Sequence, residues 1–155
     1  MSQSGWHWCK KCQGMYFTCN NSGVCPAGGA HDDTGSRDHV LSESGSGQSD
    51  WRWCNKCQGL FWAKDSLGVC PSHSHSDVGS ANYVLSSSSS GSSNWRWCNK
   101  CQGMYFAGNS SGVCPAGLAG EERSTHMAMR GSPRLCEVAG LPAWRALTWC
   151  DAIIG

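Results

Sequence analysis

Three cysteines recur at fixed spacing, three times, in units too short to build a core of their own. Cys9 and Cys12, Cys54 and Cys57, and Cys98 and Cys101 are each C-x2-C, and a third cysteine follows 13 residues after the second, at Cys25, Cys70 and Cys114. Each of these third cysteines stands in Gly-Val-Cys-Pro. Two histidines, His31 and His75, come six and five residues further on, and the next Trp follows each by 20 residues. The one-residue difference between the first two units therefore falls between Cys and His. The units open on Trp6, Trp51 and Trp95, spaced 45 and 44 residues apart, with WHWCKKCQG once and WRWCNKCQG twice. Self-similarity at such a period is read before anything else, because it fixes the architecture.

Three thiols per unit is an odd number, and disulfides inside a unit leave one unpaired. A Cys3His tetrahedron uses every conserved donor within one unit. The expected ligands are Cys9, Cys12, Cys25 and His31; Cys54, Cys57, Cys70 and His75; and Cys98, Cys101 and Cys114 with the fourth position open. His73 competes with His75, and alignment with His31 decides for His75. Four protein ligands leave no place for water, so the metal, zinc at two or three per chain, is expected to be structural. A chain segment of about 44 residues is near the size at which a staple is needed, and zinc in such sites supplies an apparent ~10–16 kcal/mol of folding energy. Disulfide pairing and a redox Cys-x-x-Cys stay open as alternatives.

Trp53-Cys54-Asn55-Lys56-Cys57 resembles the W-C-x-x-C of thioredoxin-like oxidoreductases. There the first Cys begins a helix, which lowers its pKa, whereas Gly59 and an aromatic run follow here. C-x-K-C-Q-G instead resembles the knuckle of zinc-ribbon and related small zinc-finger families. A Trp just before Cys-x-x-Cys is similar to zinc fingers of the Ran-binding-protein type, which bind RNA or ubiquitin and hold their zinc with two C-x2-C pairs. The present units have Cys and then His in place of the second pair. The whole unit, W-x-W-C-x-K-C-Q-G with G-V-C-P and a later His, resembles a tandem-repeat type of bacterial proteins with no assigned activity, and the resemblance covers about residues 6–117.

Trp-x-Trp-Cys alternates with period two, and β-prone runs follow each knuckle: Met15-Tyr16-Phe17, Leu60-Phe61-Trp62 and Met104-Tyr105-Phe106. The prediction is an all-β chain of zinc-stabilised hairpins, with a third short strand near 39–41 and 83–85. Gly/Ser-rich stretches read as flexible linkers. The expected organisation is unit 1 over 1–41, linker 42–49, unit 2 over 50–85, linker 86–93, a truncated unit 3 over 94–117 and an atypical tail over 118–155. Separate or loosely coupled units are favoured over a single domain of three equivalent units. In the tail, Arg, Glu, Ala and Met replace the Ser/Gly background. Either it folds back, with His126 or Cys136 completing the third site, or it is a sequence accident such as a frameshift. A short helix over 141–147 is a further expectation. Cys19 has no counterpart in the other units and reads as a spare thiol.

The Trp pairs have two readings. One is packing, since aromatics are the main buried area available to so small a unit. The other is a ligand platform made by Trp6, Trp8, Trp51, Trp53, Trp95 and Trp97 with Arg52 and Arg96. Stacking suits sugar rings or single-stranded bases. Lys56 and Lys100, and His7, Lys10 and Lys11 in unit 1, add cations beside the aromatics. Against nucleic acid as main partner stands the charge balance, 12 Lys+Arg against 11 Asp+Glu. Carbohydrate or a surface polymer is therefore the leading ligand, a nucleic acid or protein partner the next, and a disulfide-linked structural repeat the non-binding alternative. Asp32, Asp33 and Asp77 are candidate hydrogen-bond partners for the histidines. No catalytic constellation stands out, and a thiol-disulfide oxidoreductase is the enzyme reading that comes nearest. No window is apolar enough to span a membrane, and the opening MSQSG has no apolar signal region. A cytoplasmic address is the expectation, with export by another route left open.

Overall fold

The computed structural model describes residues 1–86 and 94–117. Within them each unit is a hairpin whose tip is the Cys-x-x-Cys turn. Strands β1 (Ser2–Trp8) and β2 (Met15–Phe17) pair antiparallel, with Trp6 opposite Phe17 and Trp8 opposite Met15. The third run of unit 1, β3 (His39–Ser42), pairs with the other edge of β1. Unit 2 repeats the plan with β4 (Gln48–Trp53) and β5 (Leu60–Trp62), then adds a small ribbon, β6 (Val69–Cys70) with β7 (His73–Ser74), and finally β8 (Tyr83–Leu85) on the edge of β4. Unit 3 contributes β9 (Trp95–Trp97) and β10 (Met104–Phe106), paired in the same register. No helix occurs among the described residues, so none there is long and apolar enough to cross a membrane. The described residues are all-β, as the alternation implied.

The knuckle has one geometry in all three units. Cys9 N donates to Gly14 O at 2.8 Å and Gln13 N to Cys9 O at 2.8 Å, and the pattern recurs at Cys54/Gly59 and Cys98/Gly103. Closing so tight a turn puts Gln13, Gln58 and Gln102 at φ of 66°, 66° and 64°. A non-glycine residue held there needs side-chain support. It has it. Each Gln Oε1 accepts the indole N–H of the second Trp of its unit, at 3.2, 3.1 and 3.0 Å, and each Gln Nε2 donates to the carbonyl of Lys10, Asn55 or Asn99. The invariant Gln after the second cysteine is thus a strut between knuckle and hairpin.

The units close on one another. β3 meets β8 through Ser42 and Val84, which makes a six-stranded sheet in the order β2-β1-β3-β8-β4-β5. At the middle, the second strands of the hairpins join in a cycle. Phe17 N donates to Gln58 O at 2.9 Å, Trp62 N to Gln102 O at 2.9 Å and Phe106 N to Gln13 O at 2.8 Å. The bridges Tyr16–Gly59, Phe61–Gly103 and Tyr105–Gly14 run the same way round. Separate, loosely coupled units are therefore not what the structure has; it has three pseudo-equivalent hairpins in one ring. The reason is elementary. A lone two-stranded hairpin leaves ladder groups unpaired and one apolar face wet, and the ring satisfies both needs. Ser42 ends β3 and Gln48 begins β4, so residues 43–47 connect two strands that each pair with β8. Residues 87–93 and the tail from 118, with the expected helix at 141–147, lie outside the described residues.

Each hairpin has two faces. Met15 and Phe17 point one way with Trp6, and so do Leu60 with Trp51, and Met104 with Trp95; these form a single core with Leu41, Tyr83 and Leu85. The residue between, Tyr16, Phe61 or Tyr105, points the other way, into a cysteine cluster. Period-two alternation thus sorts the apolar core from the thiols.

Candidate metal centre

Three clusters stand on the outer faces of the hairpins. Cys9, Cys12, Cys25 and His31 form the first, Cys54, Cys57, Cys70 and His75 the second, and Cys98, Cys101 and Cys114 the third; in each, the donor atoms lie within 4.8 Å of one another. The knuckle supplies two thiols, the Gly-Val-Cys-Pro turn the third, and the loop after it the imidazole. The loops differ by one residue and solve the problem differently. In unit 1 a turn over Cys25–Gly29 carries the chain, with Gly28 N donating to Cys25 O at 2.9 Å. In unit 2 the β6–β7 ribbon does so, with His73 at its bend. Both deliver an imidazole to the second knuckle cysteine, His31 Nδ1 at 3.5 Å from Cys12 Sγ and His75 Nδ1 at 3.6 Å from Cys57 Sγ. His75 is buried, while His73 is exposed and outside the cluster.

The cluster sulfurs are not joined by S–S bonds. Cys9 Sγ and Cys25 Sγ are 3.9 Å apart, and Cys98 Sγ and Cys114 Sγ 3.8 Å. A tetrahedron with Zn–S of about 2.3 Å and Zn–N of about 2.0–2.1 Å has S···S edges of about 3.8 Å and S···N edges of about 3.5 Å. A disulfide needs about 2.05 Å. The residues present therefore fit a bound cation in the first two clusters. The third supplies three corners, and His126 and Cys136, expected as its completion, lie outside the described residues.

Electrostatics agree. Hydrogen bonds from Cys12 and Cys25 pull the Cys9 thiol far down, and one from Cys57 pulls Cys54 down to about 3. The partner thiols move the other way, Cys12 and Cys57 being raised by those same sulfur contacts and by burial. Burial disfavours the His31 cation, but contacts with Cys25 and Cys9 outweigh it and lift the imidazole to about 9. Three sulfurs this close cannot all ionise by themselves. A divalent cation would offset the charge. Backbone N–H groups already aim at the sulfurs: Asp32 and Gly14 donate to Cys9 and Cys12, and Ser76 and Gly59 to Cys54 and Cys57, each at 3.4 Å.

Several expected roles fall elsewhere. Asp33 does not orient His31; its carboxylate pairs with His7 Nδ1 at 3.0 Å, and Asp32 caps Thr34 N at 3.0 Å. Asp77 receives Ser80 N through its carbonyl. The partner of His31 Nε2 is the Cys57 carbonyl of the next unit, at 3.2 Å. Lys11 Nζ donates to Gly28 O and Ala30 O at 2.6 Å, and Lys56 Nζ to Ser74 O at 3.1 Å. The lysine of C-x-K-C thus clamps the loop that follows the third cysteine. Nothing in composition separated that use from a phosphate contact; its repetition one residue before the second cysteine was the available signal. Cys19 is exposed and outside the clusters.

The Trp pairs split. Trp6, Trp51 and Trp95 are 0%, 0% and 2% exposed, so they are core residues and no ligand reaches them. Trp8, Trp53 and Trp97 are half-buried at the rim of the core. Each sits at a junction, against an aromatic of the preceding unit: Trp53 with Phe17, Trp97 with Trp62, and Trp8 with Phe106, at ring separations of 6.3, 5.3 and 6.5 Å. Arg52 and Arg96 stand opposite Phe61 and Tyr105, on the cluster face rather than beside these indoles. Arg96 donates to Trp95 O at 2.8 Å.

No family model, no curated protein and no solved structure matches this chain.

Proposed function

We propose that this chain is a non-catalytic, zinc-stabilised repeat module that binds a neutral polymer, carbohydrate foremost, through the second Trp of each unit. The observation that carries the metal half is the spacing of the donor atoms, 3.8–3.9 Å between sulfurs and 3.5–3.6 Å from sulfur to Nδ1. Three soft thiolates with one imidazole suit zinc among the common divalent ions. Cys9, Cys12, Cys25 and His31 would hold one ion, Cys54, Cys57, Cys70 and His75 another, and Cys98, Cys101 and Cys114 would contribute to a third. With its corners taken by protein, such an ion supplies cohesion and no reactive water.

The ligand half is supported by Trp8, Trp53 and Trp97. Their indoles are held in fixed orientation by the Gln struts, which lowers the ordering cost of stacking on a sugar ring. Three equivalent positions in one ring favour a repetitive ligand through avidity. Lys11 and Lys56, tied to loop carbonyls, add little to a nucleic-acid surface.

Metal analysis of the untreated protein, with tryptophan fluorescence titrated by oligosaccharides and by oligonucleotides, tests both halves. Two or three zinc ions per chain and a sugar response that is lost in Trp53→Ala are expected. Absence of metal overturns the first half. A response to oligonucleotides alone, falling steeply with salt, replaces the second.

A further inference from the structure

We propose that the metal sites load as one cooperative set rather than independently, because each site's closing loop is seated on the knuckle of the next. This inference rests on the zinc reading above.

The seating is the same at all three junctions. Gly23 lies over the Cys57 carbonyl, Gly68 over that of Cys101 and Gly112 over that of Cys12, with φ of +60°, +62° and +59°. A Cβ at any of the three would fall on the carbonyl oxygen beneath it. Two residues beyond each glycine stands the third thiol of its own site, Cys25, Cys70 or Cys114. The residue beneath it is the second knuckle thiol of the neighbouring site. Site 1 therefore leans on site 2, site 2 on site 3 and site 3 on site 1. The last contact is reinforced by Val113 N, which donates to Cys12 O at 3.2 Å. At the first junction the coupling reaches a ligand itself, since His31 presents Nδ1 to Cys12 Sγ and Nε2 to the carbonyl of Cys57.

A bound ion orders the loop between the third thiol and the histidine. The ion likewise fixes the segment that leads into the third thiol, and the glycine of that segment is the surface against which the next knuckle closes, so filling one site removes part of the ordering cost of the next. Positive coupling follows whenever one ligand has already met the conformational cost of another. The three Val-Cys-Pro turns also wall a shared open depression of about 540 Å³. Val24, Pro26, Val69, Pro71, Val113 and Pro115 line it, so its shape depends on every site being closed.

The experiment is native mass spectrometry of the full chain during titration of the metal-free protein with zinc. Coupling of the usual allosteric size, about 5–150-fold between sites, leaves metal-free and fully loaded chains as the main species at half saturation. Gly23→Ala, which alters no ligand, is expected to populate partly loaded chains. Should Gly23→Ala fail to fold, His31→Cys serves instead; it keeps four donors at the site while removing the bond to Cys57 O and the stacking on Tyr16, and it is expected to weaken the coupling in the same sense. A binomial spread of partly loaded wild-type chains overturns the cooperative inference and leaves the zinc reading standing. Loading that stays all-or-none in both variants also overturns it. Failure to take up zinc at all removes the zinc reading itself.

Discussion

The two faces of each hairpin hold the fold by different means. On one face Trp6, Trp51 and Trp95 meet in an apolar core. On the other, Tyr16 and Phe61 stack on His31 and His75 at ring separations of 4.4 Å, and the cysteines gather around them. The core is one continuous cluster shared by all units, whereas the thiols are three separate ones. Apolar attraction has no direction, so it merges what it can reach. A coordinated ion would be directional and saturate at four ligands, which keeps each thiol cluster local. The core therefore merges the units, while each cluster gathers the donors of a single unit and touches its neighbour only through the backbone contacts of the junctions.

That division of labour can be broken from either side. Removing metal with a chelator touches only the cluster face, yet it should also dissolve the core. With an apparent ~10–16 kcal/mol at stake, near-ultraviolet circular dichroism of the tryptophans is expected to collapse on chelation and return with zinc. A core signal that survives chelation would mean that the aromatic face is self-sufficient. Trp51→Ala attacks the other face and should cost about 3–5 kcal/mol, read as a lowered midpoint in denaturant, with metal content unchanged in the molecules still folded. Gln58→Ala probes the strut between the faces. It leaves the Trp53 indole N–H and the Asn55 carbonyl without partners, and about 1–3 kcal/mol is expected; Gln58→Glu, which keeps the acceptor, should recover part of it. Trp53→Ala sharpens the contrast within one pair. Its half-buried indole should cost about 1–2 kcal/mol, clearly less than Trp51→Ala, measured by the same denaturant titration. Equal losses for the two tryptophans would erase the distinction between core and rim.

The position of the histidines shows how far spacing alone reaches. The interval from Cys25 to His31 exceeds that from Cys70 to His75 by one residue, yet both imidazoles arrive at the same corner. A turn through Gly28 and Gly29 absorbs the extra residue in unit 1, and a two-rung ribbon replaces it in unit 2. Donor identity was legible because coordination demands particular atoms in a countable number. The loop conformation was not, because many backbones meet the same four-point constraint.

What the residues determined by themselves was the set of donors, the hairpins and the all-β class. Those follow from local chemistry: sulfur and imidazole counted per unit, and apolar side chains alternating along strands. Only the tertiary structure decided that the hairpins close into a ring, that Trp6, Trp51 and Trp95 are its interior, and that the strands either side of the Gly/Ser-rich stretch both pair with β8. The physical reason is that the repeats are nearly identical. A hairpin edge or an apolar face is completed equally well by a neighbouring unit or by another molecule, and no single unit records which. The choice is made by closure, when Phe17, Trp62 and Phe106 each find the carbonyl of a glutamine one unit along.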